Sequence, residues 1–587
     1  MARSSRLHHV WRYIRPYQGK VAQGVIALLI VNLLSARIPL VIGEGVEALK
    51  QGAAGGGGQS VLPIGLWILG LSTVMMMIRL WSRMLLFGVG RQVEFDLKQK
   101  LFDHLLVMDP AYFGANRIGD LINRATSDVD SVRRMLGFSV LSLFNTIFAY
   151  STILPTMLNL NVKLALVSVS VYPVMLFVVN LFAGRMRSLQ TLVQDELSNV
   201  SELIQEDMSG IALIKIYAQE ANERQAFSDR NQKLLDANMS MAKLRTVLFR
   251  ILEGVVAFSS LLLLWFGAKD LETGALPVKD FVAMIILTGQ LAFPTALMGF
   301  TITAYQRGEV SIDRIEAILA EQPQIQDARA AIAVPPEHIT GRLTAKGLSF
   351  SYPEQAHPAL DRLSFQIEPG ETVAVIGPIG SGKSTLANAL PRLLAIAPGQ
   401  LFVDDHDITA LRLQDLRGAI AYVPQESFLF STTIRDNIRY GNPTAEDWEV
   451  QQAAKAAQLD GEIENFPQKY NTLVGERGIT LSGGQRQRAA LARALVVDAP
   501  ILILDDALSS VDNQTATRIL QNLSEGTQRK TVIFISHQLS AAATADRIIV
   551  MDAGKIVQVG THNELLKQSG SLYDKLWNQQ QLVSVLE

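Results

Sequence analysis

The residues best suited to chemistry lie in one run, Gly377-Pro-Ile-Gly380-Ser381-Gly382-Lys383-Ser384-Thr385. Its spacing is GxxxxGK[ST]. It stands between an apolar stretch, Val373 to Ile376, that reads as a buried strand, and Thr385-Leu-Ala-Asn-Ala-Leu, which opens a helix. Such a loop binds phosphate. Glycines let backbone N–H groups turn inward around the anion, and the helix N-terminus adds its partial positive charge. Lys383 is expected to reach the β- and γ-phosphates of a nucleotide, and the Ser384 hydroxyl to ligate Mg²⁺. Tyr352 ends a strand read over 347–352 and has a ring able to stack on adenine.

Further candidates follow along the chain. They are Pro424-Gln425, Gly475-Glu-Arg-Gly478, Leu481-Ser482-Gly483-Gly484-Gln485 and Ser509-Ser510-Val511-Asp512. Two apolar runs also end in polar groups: Ile501-Leu-Ile-Leu504 in Asp505-Asp506, and Thr531-Val-Ile-Phe-Ile-Ser536 in His537. Apolar strands alternating with helices indicate a parallel sheet covered on both faces, with phosphate chemistry at the strand C-termini. The polar residues just named are expected at such ends. A proline pair, Pro335-Pro336, marks a linker over 306–340, and this α/β domain is read as 341–587.

The chain before it is of another kind. Its 587 residues suggest about four domain-sized units. The composition is 49% hydrophobic and only 18% charged, and the apolar excess falls before about residue 305. Six segments are long and apolar enough to cross a bilayer, near 21–46, 61–86, 135–158, 162–182, 247–268 and 281–305. Residues 1–20 carry four arginines and Lys20, which favours the cytoplasm and an interfacial helix. The uncharged loop 51–59 reads as external. The charged connections 91–134 and 185–245 read as cytoplasmic and helical, so the crossing helices should extend beyond the bilayer. Arg37 and Gln290 are candidates for a polar pathway, and Arg79, Arg83 and Glu253 for the membrane edge. Pro39, Pro173 and Pro294 are expected to kink helices around a cavity. A net charge of −2 argues against nucleic acid as a partner, and the absence of cysteine excludes disulfides and thiolate metal sites.

Leu481-Ser-Gly-Gly-Gln485 resembles the signature of ATP-binding cassette proteins. Six crossings before one cassette resemble an exporter half-transporter, over nearly the whole chain. The fold implied is an all-α six-helix transmembrane domain (21–305) with long cytoplasmic helix extensions, joined to an α/β P-loop cassette. The cofactors implied are ATP and Mg²⁺. Matched motif by motif, Tyr352 stacks on adenine and Gly377, Gly380, Ser381, Gly382, Lys383, Ser384 and Thr385 hold the phosphates. Ser384, Gln425 and Asp505 hold Mg²⁺, while Gln425, Asp506 and His537 serve hydrolysis. Ser482, Gly483, Gly484 and Gln485 close on the nucleotide of a second chain. Asp512 matches the D-loop aspartate and 475–478 the X-loop. The stretches 111–128 and 210–220 resemble the two coupling regions.

One position departs from the pattern. The family usually carries Glu directly after the strand's aspartate, where this chain has Asp506. Asp is one methylene shorter, which sets its carboxylate back by on the order of 1.5 Å, and a misplacement of ~1 Å can cost about 10²-fold in rate. The weakened base beside an intact signature resembles the degenerate-site subunit of heterodimeric exporters, with a homodimer in which Asp506 still works as the alternative. A membrane-anchored, ATP-gated module that does not pump is a further alternative. The expected activity is ATP-driven export of a hydrophobic or amphipathic substrate across an inner (plasma) membrane, with the N-terminus and cassette cytoplasmic.

Overall fold

The computed structural model describes residues 11–53, 61–353, 357–475, 478–511, 513–524 and 529–586. The first ten residues of the interfacial segment, most of the uncharged loop, Glu476, Arg477 and Asp512 lie outside the described residues. The chain divides into two compact units, one holding 1–106 and 117–321, the other 107–116 and 322–587.

Among the described residues, six helical spans in the first unit are long and apolar enough to cross a membrane: Trp11–Gln51, Val61–Leu106, Ile118–Leu160, Val162–Ser209, Glu220–Glu272 and Val278–Ala320. They run 41 to 53 residues, about twice what a bilayer needs, so the helices do extend beyond the apolar segments. The third is interrupted by two π-type turns, Arg124–Asp128 and Met135–Ser139. Pro39 and Pro294 lie inside helices. Pro173 sits in the first turn of the helical stretch Tyr172–Ser209, directly after a break at 170–171 that separates it from Val162–Val169 within the same span, so the fourth span is interrupted there.

Polar groups inside this unit pair between helices, as an apolar surround requires. Asn32 donates to Asn145 Oδ1 (3.3 Å), Ser35 to Gln290 Oε1 (3.3 Å) and Tyr172 Oη to the Thr288 carbonyl (2.5 Å). Glu253 accepts from Arg250 one turn away (2.7 Å).

The described residues of the second unit contain ten strands: β1 Leu343–Phe350, β2 Leu360–Ile367, β3 Thr372–Ile376, β4 Leu401–Val403, β5 His406–Asp407, β6 Ile420–Val423, β7 Ile501–Asp505, β8 Thr531–Ile535, β9 Arg547–Asp552 and β10 Lys555–Gly560. They form an antiparallel sheet in the order β2-β1-β4-β5 and a six-stranded sheet in the order β10-β9-β3-β8-β7-β6. In the larger sheet β9, β3, β8, β7 and β6 are parallel. Every residue of β3, β7 and β8 is buried, which is why these strands read as unbroken apolar runs. Burying each Val, Leu or Ile there is worth about 1.5–3 kcal/mol.

Register then positions the chemistry. Val375 pairs with Ile535, Asp505 with Ile535, and Val423 with Leu504. The C-terminal ends of β3, β6, β7 and β8 are therefore level, and the residues following them share one edge.

Candidate nucleotide-binding site

At that edge lies a cavity of ≈ 900 Å³. Its walls include Tyr352, Gly380, Ser381, Gly382, Lys383, Ser384, Thr385, Gln425, Asp505, Asp506 and His537. Residues spread over 186 positions of sequence are thus gathered into one space, from Tyr352 to His537.

The loop after β3 is held by its own backbone. Gly382 has φ +94°, and a Cβ there would stand 2.3 Å from the Ala359 carbonyl oxygen. Gly377 is needed for a different reason. It lies outside the lining of the large cavity, and a Cβ on it would meet the Met551 carbonyl oxygen of β9 at 2.1 Å. It lets β3 leave the sheet tightly. The helix α1 (Lys383–Ala389) starts at the loop's end. Lys383 Nζ donates to the carbonyls of Gly377 (2.9 Å) and Pro378 (2.8 Å). Burial pushes its ammonium below the ordinary lysine range, while Asp505 and Asp506 pull it back.

Ser384 Oγ donates to Asp505 Oδ1 at 2.9 Å. This hydroxyl and carboxylate supply the oxygen donors that Mg²⁺ takes beside nucleotide phosphates, so the residues present fit that ion. Burial lifts the Asp505 carboxyl above its usual range, against the Ser384 bond. Tyr422 was not expected here. Its hydroxyl donates to Asn388 Oδ1 (2.9 Å) and reaches Asp505 Oδ2 (3.5 Å), bracing the carboxylate from β6. No local pattern marks a lone tyrosine in a strand, so the sequence carries no signal for it.

Asp506 takes a left-handed backbone, φ +50°, and its N–H donates to the Ile535 carbonyl (3.1 Å). Its carboxyl is lifted by burial and held down by His537, Ser509, Lys383 and Gln425. His537 and the Gln425 amide therefore both act on it. Tyr352 meets Phe350 edge-on at 5.0 Å between ring centroids, and its hydroxyl is 3.4 Å from Thr385 Oγ1.

Ser482, Gly483, Gly484 and Gln485 do not line this cavity. They begin the helix α2 (Gly483–Leu495), whose capping box is complete: Ser482 Oγ accepts from Gln485 N (3.2 Å) and Gln485 Oε1 from Ser482 N (2.9 Å). Further along α2, Gln487 bonds Ser509 Oγ (3.0 Å) and the Ser510 N–H (2.8 Å), tying the helix to the loop after Asp506.

Residues 21–295 match the family described as ABC transporter transmembrane region, and residues 360–509 match ABC transporter. The chain is 33% identical over 578 residues to the probable multidrug resistance ABC transporter ATP-binding/permease protein YheI of Bacillus subtilis (strain 168), covering 98% of this chain and 97% of that one. It is 31% identical over 493 residues to an ATP-dependent lipid A-core flippase of Syntrophus aciditrophicus (strain SB), covering 84% and 81%. A solved bacterial Atm1-family ABC exporter with ATP bound superposes with a TM-score of 0.77 at 26% identity, covering 96% of this chain and 99% of that one. These likenesses span both units, so the chain belongs to the ABC transporter family, as a multi-pass exporter half-transporter in which one transmembrane domain is fused to one ATP-hydrolysing cassette and export is driven by ATP.

Proposed function

We propose that this chain exports a hydrophobic or amphipathic substrate as one subunit of a heterodimer, and that its own ATP site turns over slowly. The carrying observation is the division of the site. One cavity holds the phosphate loop, Ser384, Asp505, Asp506, Gln425 and His537, while Ser482–Gln485 stand outside it. A second cassette would complete each half. The segment Ile211–Ile216 supports a second chain as well, since Leu213, Ile216 and the neighbouring Tyr217 are 61–72% exposed.

In this reading Tyr352 stacks on the adenine, and the loop N–H groups of 380–385 wrap the phosphates. Lys383 exchanges its carbonyl partners for phosphate oxygens. Ser384, Asp505 and Gln425 would hold Mg²⁺, which supplies charge neutralisation on the β- and γ-phosphates. Asp506 accepts a proton from the attacking water, with His537 beside the γ-phosphate. Its short side chain makes this step slow. Ser482–Gln485, intact at the start of α2, serve the partner's faster site. The cassette and N-terminus face the cytoplasm of a bacterial inner membrane. The multidrug and lipid-flippase names of the relatives support a greasy substrate class.

The test has two arms. ATP-dependent uptake of a fluorescent amphipathic dye against its gradient in inverted vesicles supports pumping; downhill passage alone would sink it. Affinity purification of the tagged chain should bring a second, different half-transporter. Recovery of a homodimer with full ATPase activity would instead favour Asp506 as a working base, a reading that the placement of His537 and Gln425 beside it supports.

A further inference from the structure

His537 separates two cavities. On one side is the nucleotide cavity. On the other is a space of ≈ 250 Å³, bounded by Gly377, Ser536 and His537 and by Leu576, Gln579 and Gln580 of the last helix, α4 (Leu572–Leu586). The loop carrying His537 leads into a very short helix, α3 (Leu539–Ala542), whose preceding residue, Gln538, gives no side-chain cap. Ser536 Oγ accepts from Gln538 N (2.9 Å), which secures one side of the histidine. The other side ends at the Leu539 N–H, a donor that a helix start leaves without an intrahelical acceptor. Its acceptor comes from 41 residues away: Gln580 Oε1, at 2.7 Å.

The acceptor is rigidly mounted. Tyr573 of α4 is fully buried, with its hydroxyl 2.6 Å from His562 Nδ1. Leu576 and Trp577 pack against the core. We propose that Gln580 is a positioning residue for hydrolysis: by fixing the backbone two residues beyond His537, it sets where the imidazole stands against the γ-phosphate. This rests on the nucleotide-site reading of His537 given above.

The test uses the full-length protein, purified with its partner in lipid nanodiscs. Gln580→Leu removes the acceptor at similar volume, and Gln580→Glu keeps an acceptor oxygen. Each is made with His537 present and with His537→Ala. ATPase kcat and KM are measured, together with the ratio of ATP to ADP affinity, which needs no turnover and so reports even from a slow site. Gln580→Leu should lower the turnover of this chain's own site and the affinity ratio about 2- to 10-fold, the range of one neutral hydrogen bond, at unchanged ADP affinity. Gln580→Glu should restore both, and Gln580→Leu should add nothing in the His537→Ala background. The inference alone is overturned if Gln580→Leu leaves both readouts unmoved, or lowers them equally in both backgrounds. Wild-type protein that holds no ATP overturns the reading of the site and this inference with it.

Discussion

Asp506→Glu should raise hydrolysis at this chain's own site. The structure bears on the size of the gain through the backbone. Asp506 is pinned at the end of β7 by its N–H bond to Ile535 (3.1 Å), with Ser509 Oγ donating to its carbonyl (2.9 Å). The main chain therefore cannot slide forward, and reach depends on side-chain length. The added methylene extends the carboxylate by on the order of 1.5 Å. Recovering a misplacement of that size is worth up to about 10²-fold, or ~2.7 kcal/mol of barrier. The left-handed φ of +50° is costlier for Glu than for Asp by about 1 kcal/mol, a cost that falls on stability and not on rate. The assay is single-turnover hydrolysis of labelled ATP by the assembled complex, wild type against Asp506→Glu, each with and without Lys383→Ala. The gain should disappear when Lys383→Ala disables this chain's loop. An unchanged rate in Asp506→Glu, or a gain that survives Lys383→Ala, refutes the short-base argument.

Three further outcomes are expected. Gly382→Ala should abolish Mg·ATP binding in an equilibrium binding assay, because φ +94° and the 2.3 Å approach to the Ala359 oxygen force the loop to shift; retained affinity would refute it. Asp109 stands before the short helix Pro110–Ala115 without capping it, and its carboxylate accepts from the Gln324 (2.6 Å) and Ile325 (3.2 Å) N–H groups instead. Asp109→Ala should thus remove hydrogen-exchange protection at those two amides, and protection unaffected by the change would show that other partners hold them. The Asp436 carboxyl is held below the ordinary range, first by the Thr433 hydroxyl, then by Thr432 and the Arg439 and Arg435 guanidinium groups. A depressed folded value means its stabilisation is complete above the unfolded pKa of about 3.9 and is lost as pH falls through the lower folded value. The melting-temperature gap between wild type and Asp436→Asn should therefore be open at neutral pH and close on acidification, and a gap independent of pH would refute the assignment.

Local chemistry was legible in the sequence. The phosphate loop is a contiguous run whose glycines, lysine and hydroxyls act together, so spacing alone announces it. The six crossings and the buried strands are likewise local, because hydropathy over 20 residues or over five needs no knowledge of neighbours. Asp506 could be flagged from its side-chain length alone. What the tertiary structure decided is every relation set by strand register and by packing between distant elements. Level strand ends bring Gln425, Asp505, Asp506 and His537 to one cavity. Tyr422 braces Asp505 only because β6 lies beside β7. Gly377, counted with the phosphate ligands by its motif, is fixed by its approach to β9, and Gln580 reaches Leu539 across 41 residues. A side chain's partner across such separations depends on how the sheet stacks its strands and where the last helix packs, and no stretch of sequence encodes that distance by itself.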